Sequence, residues 1–297
     1  MRLHFSAPAA ALALALAGSF LGAQSRPSPL GGATLFWSAD EAGAAAKVPS
    51  EASFAHPASL PSPGRLPDTA DRAFLLCWHT FLGKPDIPTD FSIDELSRQV
   101  DALLGLGYRF ISLEDLLFGR FEGRMNLVAT MDDGHRTVPA ACAKVFAARS
   151  IVPAVFVYPA VIGATSYSMD AAQLRSLRDA GCLVGAHGYY HLFVTEALYK
   201  SDRAAFEKEI FTAKSRVESM SELPAYAYAY PFGALSPVTK REVARAGYAF
   251  GIAVKPGFVY ADPRLNDPYE LPRSVVTRDN WDALLAFLAR NASGEAR

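Results

Sequence analysis

The stretch LVATMDDG, residues 127–134, joins a mostly apolar run to two adjacent carboxylates, Asp132 and Asp133, and then to a glycine. A continuous run of this kind is typical of a strand that is buried on both faces of a parallel sheet. Two neighbouring carboxylates at the end of a buried strand repel each other and resist the loss of water. The stretch therefore predicts a parallel sheet with a positive partner at this strand end, either a metal cation or basic side chains.

Six other short apolar runs alternate with amphipathic helical patterns. The pattern SIDE at residues 92–95 is a capping box that opens one helix, and further helical patterns follow at residues 168–181 and 201–220. Ser236 and Pro237 supply the start of another helix. The seven predicted strands are residues 74–78, 127–131, 152–158, 183–186, 225–230, 249–254 and 273–276.

This alternation predicts an α/β fold, namely an irregular (β/α) barrel of about seven parallel strands in a single domain. An open, doubly wound sheet is the alternative, but neither a dinucleotide-binding fingerprint nor a phosphate-binding loop follows any of the predicted strands. In a barrel, catalytic side chains lie at the carboxyl ends of the strands. Candidate residues are therefore expected directly after predicted strands.

The composition sets the context of this barrel. The chain has 297 residues, of which 51% are hydrophobic, and this is enough to bury a large core. A net charge of −1 gives no electrostatic reason to expect nucleic acid as a partner. Cys77, Cys142 and Cys182 each lie in an apolar run, which favours buried thiols over a disulfide framework.

The N-terminal part predicts export. Residues 1–25 resemble an export signal, because Arg2 and His4 precede an uncharged, alanine- and leucine-rich stretch that ends at the small residues Ala23 and Ser25. Residues 26–70 are rich in Pro, Ser and Ala and predict a disordered tether, and residues 71–297 are assigned to the barrel. The protein is therefore expected in the periplasm or outside the cell. An uncleaved signal is its only predicted attachment to a membrane.

Two histidines follow the strand predicted at residues 183–186. His187 and His191, in HGYYH, are four residues apart and can face one point. Together with one carboxylate they offer three nitrogen and oxygen ligands with an open fourth position, as in catalytic zinc sites. Taken alone, His-x-x-x-His is commonly a surface or core pair, and Asp-Asp-Gly is commonly a turn. Their shared position at strand ends favours a metal site, with one aspartate as a ligand and the other as a base.

A third strand end has the same character. The stretch AYAYPFGA, residues 227–234, ends in Pro231, Phe232 and Gly233, where a rigid turn can present a backbone N–H to a substrate. Alone, this pattern is only a turn between a strand and a helix. In this order, TMDDG, HGYYH and YPFG resemble the first three motifs of the polysaccharide deacetylases (carbohydrate esterase family 4, NodB-homology domain), and the resemblance extends over residues 74–288.

The resemblance implies a distorted (β/α) barrel and a metal-dependent reaction that removes N- or O-acetyl groups from an acetylated glycan. It makes Asp132 the catalytic base and Asp133, His187 and His191 the ligands of a divalent metal ion, with zinc as the first expectation. The backbone N–H of Phe232 corresponds to the donor that stabilises the oxyanion. The chemistry is coherent, since a cation and an N–H group both stabilise negative charge on the acetyl oxygen.

The sequence departs from the family pattern in two places. Ala229 stands where the third motif commonly carries an arginine, and no histidine follows His191 to serve as the general acid. His79, in CWHTF, resembles the displaced histidine of a permuted branch, the exported poly-N-acetylglucosamine deacetylases. Arg273, in ELPRSVV, resembles an arginine that opens a late strand in the same branch, which implies that it orients Asp132; a surface or structural arginine is the alternative. His135 is expected to support the site or to face solvent.

Aromatic and turn residues around these motifs are the candidate substrate contacts. Trp78, Tyr190 and Pro231 are predicted to bind the glycan, and Tyr189 and Phe193 are further candidates for stacking on sugar rings, although packing is the ordinary role of such side chains. The leading interpretation is an N-deacetylase that acts on N-acetylglucosamine units. The alternatives are an O-acetyl esterase of xylan or cell-wall glycan that uses the same site, and a glycan-binding barrel without activity.

Overall fold

A computed structural model describes residues 71–293. The predicted export signal and the predicted tether lie outside these described residues. Within the described part of the chain, no helix combines the length and the apolar character that crossing a membrane requires.

The centre of the fold is a curled and mostly parallel sheet. Seven strands follow one another across it in the order β7-β6-β5-β4-β3-β1-β8, while β2 pairs with β3 and β9 pairs with β1. All strand pairings are parallel except that of β1 with β8. The strands are β1 Arg72–Trp78, β2 Arg109–Phe110, β3 Met125–Met131, β4 Ala154–Val157, β5 Leu183–Ala186, β6 Ala227–Ala229, β7 Phe250–Ile252, β8 Val259–Tyr260 and β9 Ser274–Val275.

This architecture confirms the predicted α/β fold with an irregular barrel. All seven predicted strands are present, although most of them are shorter than predicted. The two strands that were not predicted, β2 and β8, have two residues each, which is too short for a periodic pattern.

Residues 271–276, here called the closing segment, lie between two strands that are far apart in the sheet order. The backbone N–H of Leu271 donates to the Gly251 carbonyl, and the Ala253 N–H donates to the Leu271 carbonyl, both at 2.9 Å. Further along, the N–H of Val276 donates to the Cys77 carbonyl at 2.8 Å. The closing segment therefore connects the β7 region to β1.

Helices cover the outside of the sheet. The predicted capping box at Ser92 is present, and Asp170 forms a further capping box with Gln173. Ser236 accepts from the N–H of Thr239, as expected for an N-cap. The α-helices are α1 Ile93–Gly105, α2 Leu113–Leu117, α3 Val138–Ala141, α4 Ala171–Asp179, α5 Glu196–Ser201, α6 Arg203–Glu207, α7 Ala213–Ser221, α8 Pro237–Arg245 and α9 Trp281–Ser293.

Shorter helical turns complete the structure. Within residues 71–293, two of these are wider, π-helical turns and three are 3₁₀ turns: Cys142–Phe146, Lys208–Thr212, Ala147–Arg149, Pro231–Gly233 and Pro263–Leu265. The helix predicted over residues 201–220 is therefore interrupted, because α6 and α7 are joined through the π-helical turn at Lys208–Thr212.

Alternate residues of β1 pack into two separate hydrophobic clusters. Phe74, Leu76 and Trp78 belong to the larger cluster, which includes residues of α1 and α4, whereas Ala73 and Leu75 belong to a smaller cluster that consists mainly of strand residues and residues of α2. This is the period of two that a strand imposes on its side chains. Trp78 therefore faces the layer of helices.

Candidate active site

The predicted site residues lie where parallel strands end. His79 follows β1, Asp132 and Asp133 follow β3, His187 follows β5, and Phe232 lies three residues beyond the end of β6. Because these strands run in the same direction in one sheet, their carboxyl ends lie at one edge. The fold thus brings together residues that are up to 153 positions apart in the chain.

Three of these side chains form a compact set of possible metal ligands. Ligand atoms of Asp133, His187 and His191 all lie within 4.8 Å of one another. The Oδ1 atom of Asp133 is 3.6 Å from Nε2 of His187 and 3.5 Å from Nε2 of His191. The two Nε2 atoms are 3.1 Å apart. Two imidazoles and a carboxylate in this arrangement suit a divalent cation such as zinc.

The surroundings of the ligands fit a cation. Nδ1 of His187 lies 2.8 Å from the carbonyl oxygen of Ala229, which can only accept, so Nδ1 carries the proton and Nε2 presents its lone pair. Oδ1 of Asp133 is buried and has no hydrogen-bond partner in the described structure. Burial, assisted by His187, lowers the pKa of His191 to about 4, so this imidazole is neutral at pH 7. Metal binding requires that form.

Three residues at the site adopt backbone conformations that side chains other than glycine rarely take. The φ angles of Asp133, His191 and Phe232 are 69°, 66° and 58°. Each left-handed residue raises the energy of the fold by roughly 1–3 kcal/mol, and such strain concentrates at functional sites. The surrounding packing must therefore hold these three residues in place.

Asp132 is held by an arginine from the closing segment. Nη1 and Nη2 of Arg273 donate to Oδ1 and Oδ2 of Asp132 at 2.7 and 2.6 Å, and Nη1 also donates to the Thr130 hydroxyl at 3.1 Å. Arg273 is fully buried. Burial alone would raise the pKa of Asp132, but Arg273 and then His187 outweigh this effect and hold the pKa well below its usual value. Asp132 is therefore ionised and fixed in orientation.

We expect that the substitution Arg273→Met lowers the free energy of unfolding by about 3–5 kcal/mol, because it leaves the Asp132 carboxylate buried without its partner. Urea unfolding at pH 7 measures this loss. Arg278→Met is the matched control, since Arg278 forms a similar two-point contact with Glu95 at the partly exposed surface. The control should lose about 1 kcal/mol or less. Equal losses in the two variants would contradict the importance of the buried pair.

His79 lies next to the aspartate pair. Ligand-capable atoms of Cys77, His79 and Asp132 all lie within 4.8 Å of one another, and Nδ1 of His79 is buried without a hydrogen-bond partner among the described residues. Burial lowers the pKa of His79, while Asp132 and Asp133 oppose this change. The structure therefore places an imidazole with an uncommitted ring nitrogen beside the candidate base.

His135 has a different environment. Its Nδ1 atom lies 2.8 Å from the hydroxyl of Thr137 and accepts from the backbone N–H of the same residue at 3.2 Å. The nitrogen is therefore used within the turn that follows Asp133. This position agrees with a supporting role for His135.

The structure corrects two of the predicted substrate contacts. The indole of Trp78 is fully buried, and its N–H donates to Gln99 of α1 at 3.0 Å, so Trp78 cannot stack on a sugar. Pro231 is also buried. Tyr190, in contrast, is half exposed, and its hydroxyl accepts from Nζ of Lys208 at 2.6 Å.

The exposed aromatic surface beside the ligands comes from two phenylalanines. Phe193 and Phe232 are 59% and 55% exposed, and their rings stack with centroids 4.0 Å apart. The ring of Phe232 also contacts His191, with a centroid distance of 4.3 Å. The sequence predicts Phe193 as a candidate for stacking on sugar rings, whereas for Phe232 it predicts only a backbone N–H donor.

One residue at the site was missed by the sequence analysis. The carboxylate of Glu209 accepts hydrogen bonds from three backbone N–H groups in HGYYH and directly after it, those of Tyr189, Tyr190 and Leu192. A glutamate in an amphipathic helical stretch is ordinarily solvent-exposed, and no motif surrounds this one. The sequence therefore contains no local signal for its position.

Comparison with known proteins places these motifs in a family. Residues 122–251 match the family described as polysaccharide deacetylase. That span includes both aspartates, both candidate histidine ligands and Phe232, whereas His79 and Arg273 lie outside it. A comparison with curated proteins finds no match.

Solved structures share the fold. IcaB from Ammonifex degensii is 24% identical with a TM-score of 0.62, and the match covers 74% of this chain and 98% of that protein. The deacetylase PplD of Streptococcus pyogenes is 16% identical, with a TM-score of 0.62 and coverages of 74% and 99%. The BpsB deacetylase domain of Bordetella bronchiseptica is 18% identical, with a TM-score of 0.58 and coverages of 71% and 98%. The ordered motifs after β3, β5 and β6 thus lie in a stretch that matches the polysaccharide deacetylase family, and the solved structures share the curled parallel sheet that carries them.

Proposed function

We propose that the protein is a metal-dependent N-deacetylase that hydrolyses the acetamide bonds of N-acetylglucosamine units in a polysaccharide. The observation that supports this most strongly is the position of Asp133, His187 and His191 next to an aspartate that Arg273 holds in a fixed orientation. One carboxylate is thereby available as a ligand and its neighbour as a base. We also propose that the protein is exported to the periplasm or to the outside of the cell, which the sequence of residues 1–25 supports.

The proposed reaction uses the residues of this chain in four roles. Asp133, His187 and His191 would hold a divalent cation, with zinc the proposed ion, which would supply Lewis-acid chemistry at the acetyl carbonyl. Asp132 accepts a proton from the attacking water, and the backbone N–H of Phe232 stabilises the negative charge that develops on the acetyl oxygen. His79 donates a proton to the nitrogen as the carbon–nitrogen bond breaks. The products are acetate and a free amino sugar.

Phe193 and Phe232 are the proposed surface for the sugar rings. Stacked aromatic side chains that remain exposed beside a polar site present flat apolar faces to a ligand. Tyr190 stays a candidate for the same surface, because half of its side chain is accessible.

We expect that purified protein binds about one divalent metal ion and that His187→Ala loses most of it, because the substitution removes one of three ligands. Elemental analysis of both proteins after dialysis measures the difference. His135→Ala is the control, since it removes a nearby imidazole that is committed to Thr137. Equal metal content in wild type and His187→Ala would contradict the assignment of the ligands.

A screen for released acetate tests the substrate class. The oligomers to compare are chitin, peptidoglycan, β-1,6-linked N-acetylglucosamine and acetylxylan, with His187→Ala as the blank. The proposal requires acetate together with free glucosamine units from one of the first three. Acetate from acetylxylan alone identifies an O-acetyl esterase. Binding without acetate release identifies a glycan-binding barrel, and either result overturns the proposal.

A further inference from the structure

Glu209 is a fully buried carboxylate that the proposed reaction does not use. It lies in the π-helical turn Lys208–Thr212, between α6 and α7. No lysine or arginine of residues 71–293 forms an ion pair with it. Burying a carboxylate is unfavourable unless hydrogen bonds compensate for the lost water. The position of Glu209 therefore needs an explanation in terms of its hydrogen bonds.

Among the described residues, the side-chain hydrogen bonds of Glu209 all go to one loop. Oε1 accepts from the N–H of Tyr190 at 2.7 Å, and Oε2 accepts from the N–H groups of Tyr189 and Leu192 at 3.0 and 3.2 Å. These donors lie between and directly after His187 and His191. The carboxylate thus fixes the backbone on both sides of the second candidate ligand.

The loop is also shaped to receive this carboxylate. Gly188 has a φ angle of 73°, and a Cβ atom at this position would collide with Oε2 of Glu209. His191 is itself in a left-handed conformation, with a φ angle of 66°. Strained residues persist only when the surroundings hold them, and the bond from the Leu192 N–H acts directly after His191.

The π-helical turn that carries Glu209 is anchored in turn to the sheet. The hydroxyl of Tyr228, on β6, donates to the backbone carbonyl of Glu209 at 3.2 Å. The His187–His191 loop has a second anchor besides Glu209, because the N–H of Ala160 donates to the carbonyl of Tyr189 at 3.1 Å. A connected set of hydrogen bonds therefore runs from the barrel through Glu209 to the loop of the ligands.

We infer that Glu209 is a positioning residue that sets the His187–His191 loop in its metal-binding conformation before the cation arrives. This inference rests on the proposed function, because it assumes that the two histidines bind a cation. Its consequence is that removal of Glu209 should reduce the affinity for metal although no ligand is removed. Partners that orient metal ligands change metal affinity by roughly 10–100-fold when they are substituted.

The test is zinc affinity of the full chain, measured by competition with a chromophoric chelator. We expect Glu209→Ala to bind Zn²⁺ roughly 10–100-fold more weakly than wild type. Glu209→Gln should lie between them, because its carbonyl oxygen can keep two of the three N–H bonds while its NH₂ group opposes the third. Glu207→Gln is the matched control, since Glu207 is two residues away and pairs with Arg203 at the surface.

A second measurement separates positioning from general stability. The thermal midpoint of each protein is recorded with and without Zn²⁺, and we expect the increase produced by Zn²⁺ to be smaller in Glu209→Ala and Glu209→Gln than in Glu207→Gln. If Glu209→Ala does not fold, Glu209→Gln and Gly188→Ala are compared with wild type instead. The added methyl group of Gly188→Ala would collide with the Glu209 carboxylate.

Equal zinc affinities in wild type and the folded Glu209 variants would overturn the inference while leaving the proposed function intact. A wild-type protein that binds no Zn²⁺ or other divalent ion would instead overturn the proposed function. The two failures are therefore distinguishable in one experiment.

Discussion

Replacing Asp132 by asparagine is expected to lower the turnover of acetylated glycan by roughly 10²–10⁴-fold, the usual contribution of a general base. Asparagine has almost the same shape but cannot accept the proton of the attacking water. The metal content should stay close to that of wild type, because Asp133, His187 and His191 are unchanged. Initial rates and elemental analysis on the same preparation measure both quantities. Urea unfolding of the variant verifies that it is folded, since the substitution weakens the contact with Arg273.

The neighbouring substitution is the matched control. Asp133→Asn removes a candidate ligand whose Oδ1 is buried without another partner, so it should weaken metal binding, and excess zinc should restore part of the activity. Excess zinc should not restore Asp132→Asn. If zinc rescues Asp132→Asn and fails to rescue Asp133→Asn, then the base and the ligand have been exchanged in our assignment.

Substitution of His79 by alanine is expected to lower turnover of acetamide substrates by roughly 10²–10⁴-fold, with unchanged metal content. An amine is a poor leaving group unless a proton reaches its nitrogen, and His79 is the imidazole beside Asp132 that has an uncommitted ring nitrogen. An aryl acetate has a leaving group that needs little protonation, so its hydrolysis should change far less. The ratio of the two rates in wild type and variant is the measurement.

The pH dependence gives a further readout for His79. A general acid must carry its proton, so wild-type cleavage of acetamides should fall as the pH rises through the pKa of His79, which burial lowers. The residual rate of His79→Ala should not show this fall. His135→Ala is the control and should affect neither substrate. If His135→Ala abolishes glycan deacetylation while His79→Ala does not, the assignment of the displaced histidine is wrong.

Much of the site could be located from the sequence because it lies at the ends of buried parallel strands. Such strands appear as continuous apolar runs, so the first polar residue after each run marks the edge where catalytic side chains gather. Asp132 and His187 follow this rule directly, each as the first residue after its strand. This rule uses only the residues of each apolar run and the residue that follows it, so it can be applied to one sequence without a structure.

Residues that act across long distances in the chain could not be found in this way. The pair of Arg273 and Asp132 spans 141 positions, and its only sequence signal was the resemblance to a known family. Glu209 had no signal at all, because its orientation depends on the π-helical turn at Lys208–Thr212, where a regular helix was predicted. A change from an α-helical to a wider turn rotates every later side chain, and nothing in the apolar pattern reports it.

The error at Trp78 has a simple geometric origin. Successive side chains of a strand point to opposite faces of the sheet, so Trp78 and His79 cannot lie on the same face. The assignment of His79 to the site already implied that Trp78 packs against the helices, where its N–H meets Gln99. Strand alternation, applied to residues 74–79, would have removed this candidate from the sequence alone.

The closing segment also has a consequence for the order in which the centre is completed during synthesis. Strands β1 to β7 emerge from the ribosome before residues 271–276, and with them both aspartates and both histidines. Until Arg273 follows, the carboxylate of Asp132 lacks the guanidinium with which it pairs in the folded protein. Synthesis of residues 271–276 therefore completes both the pairing of the sheet and the surroundings of Asp132. A nascent chain that ends before these residues contains all the proposed metal ligands, but its proposed base still lacks Arg273.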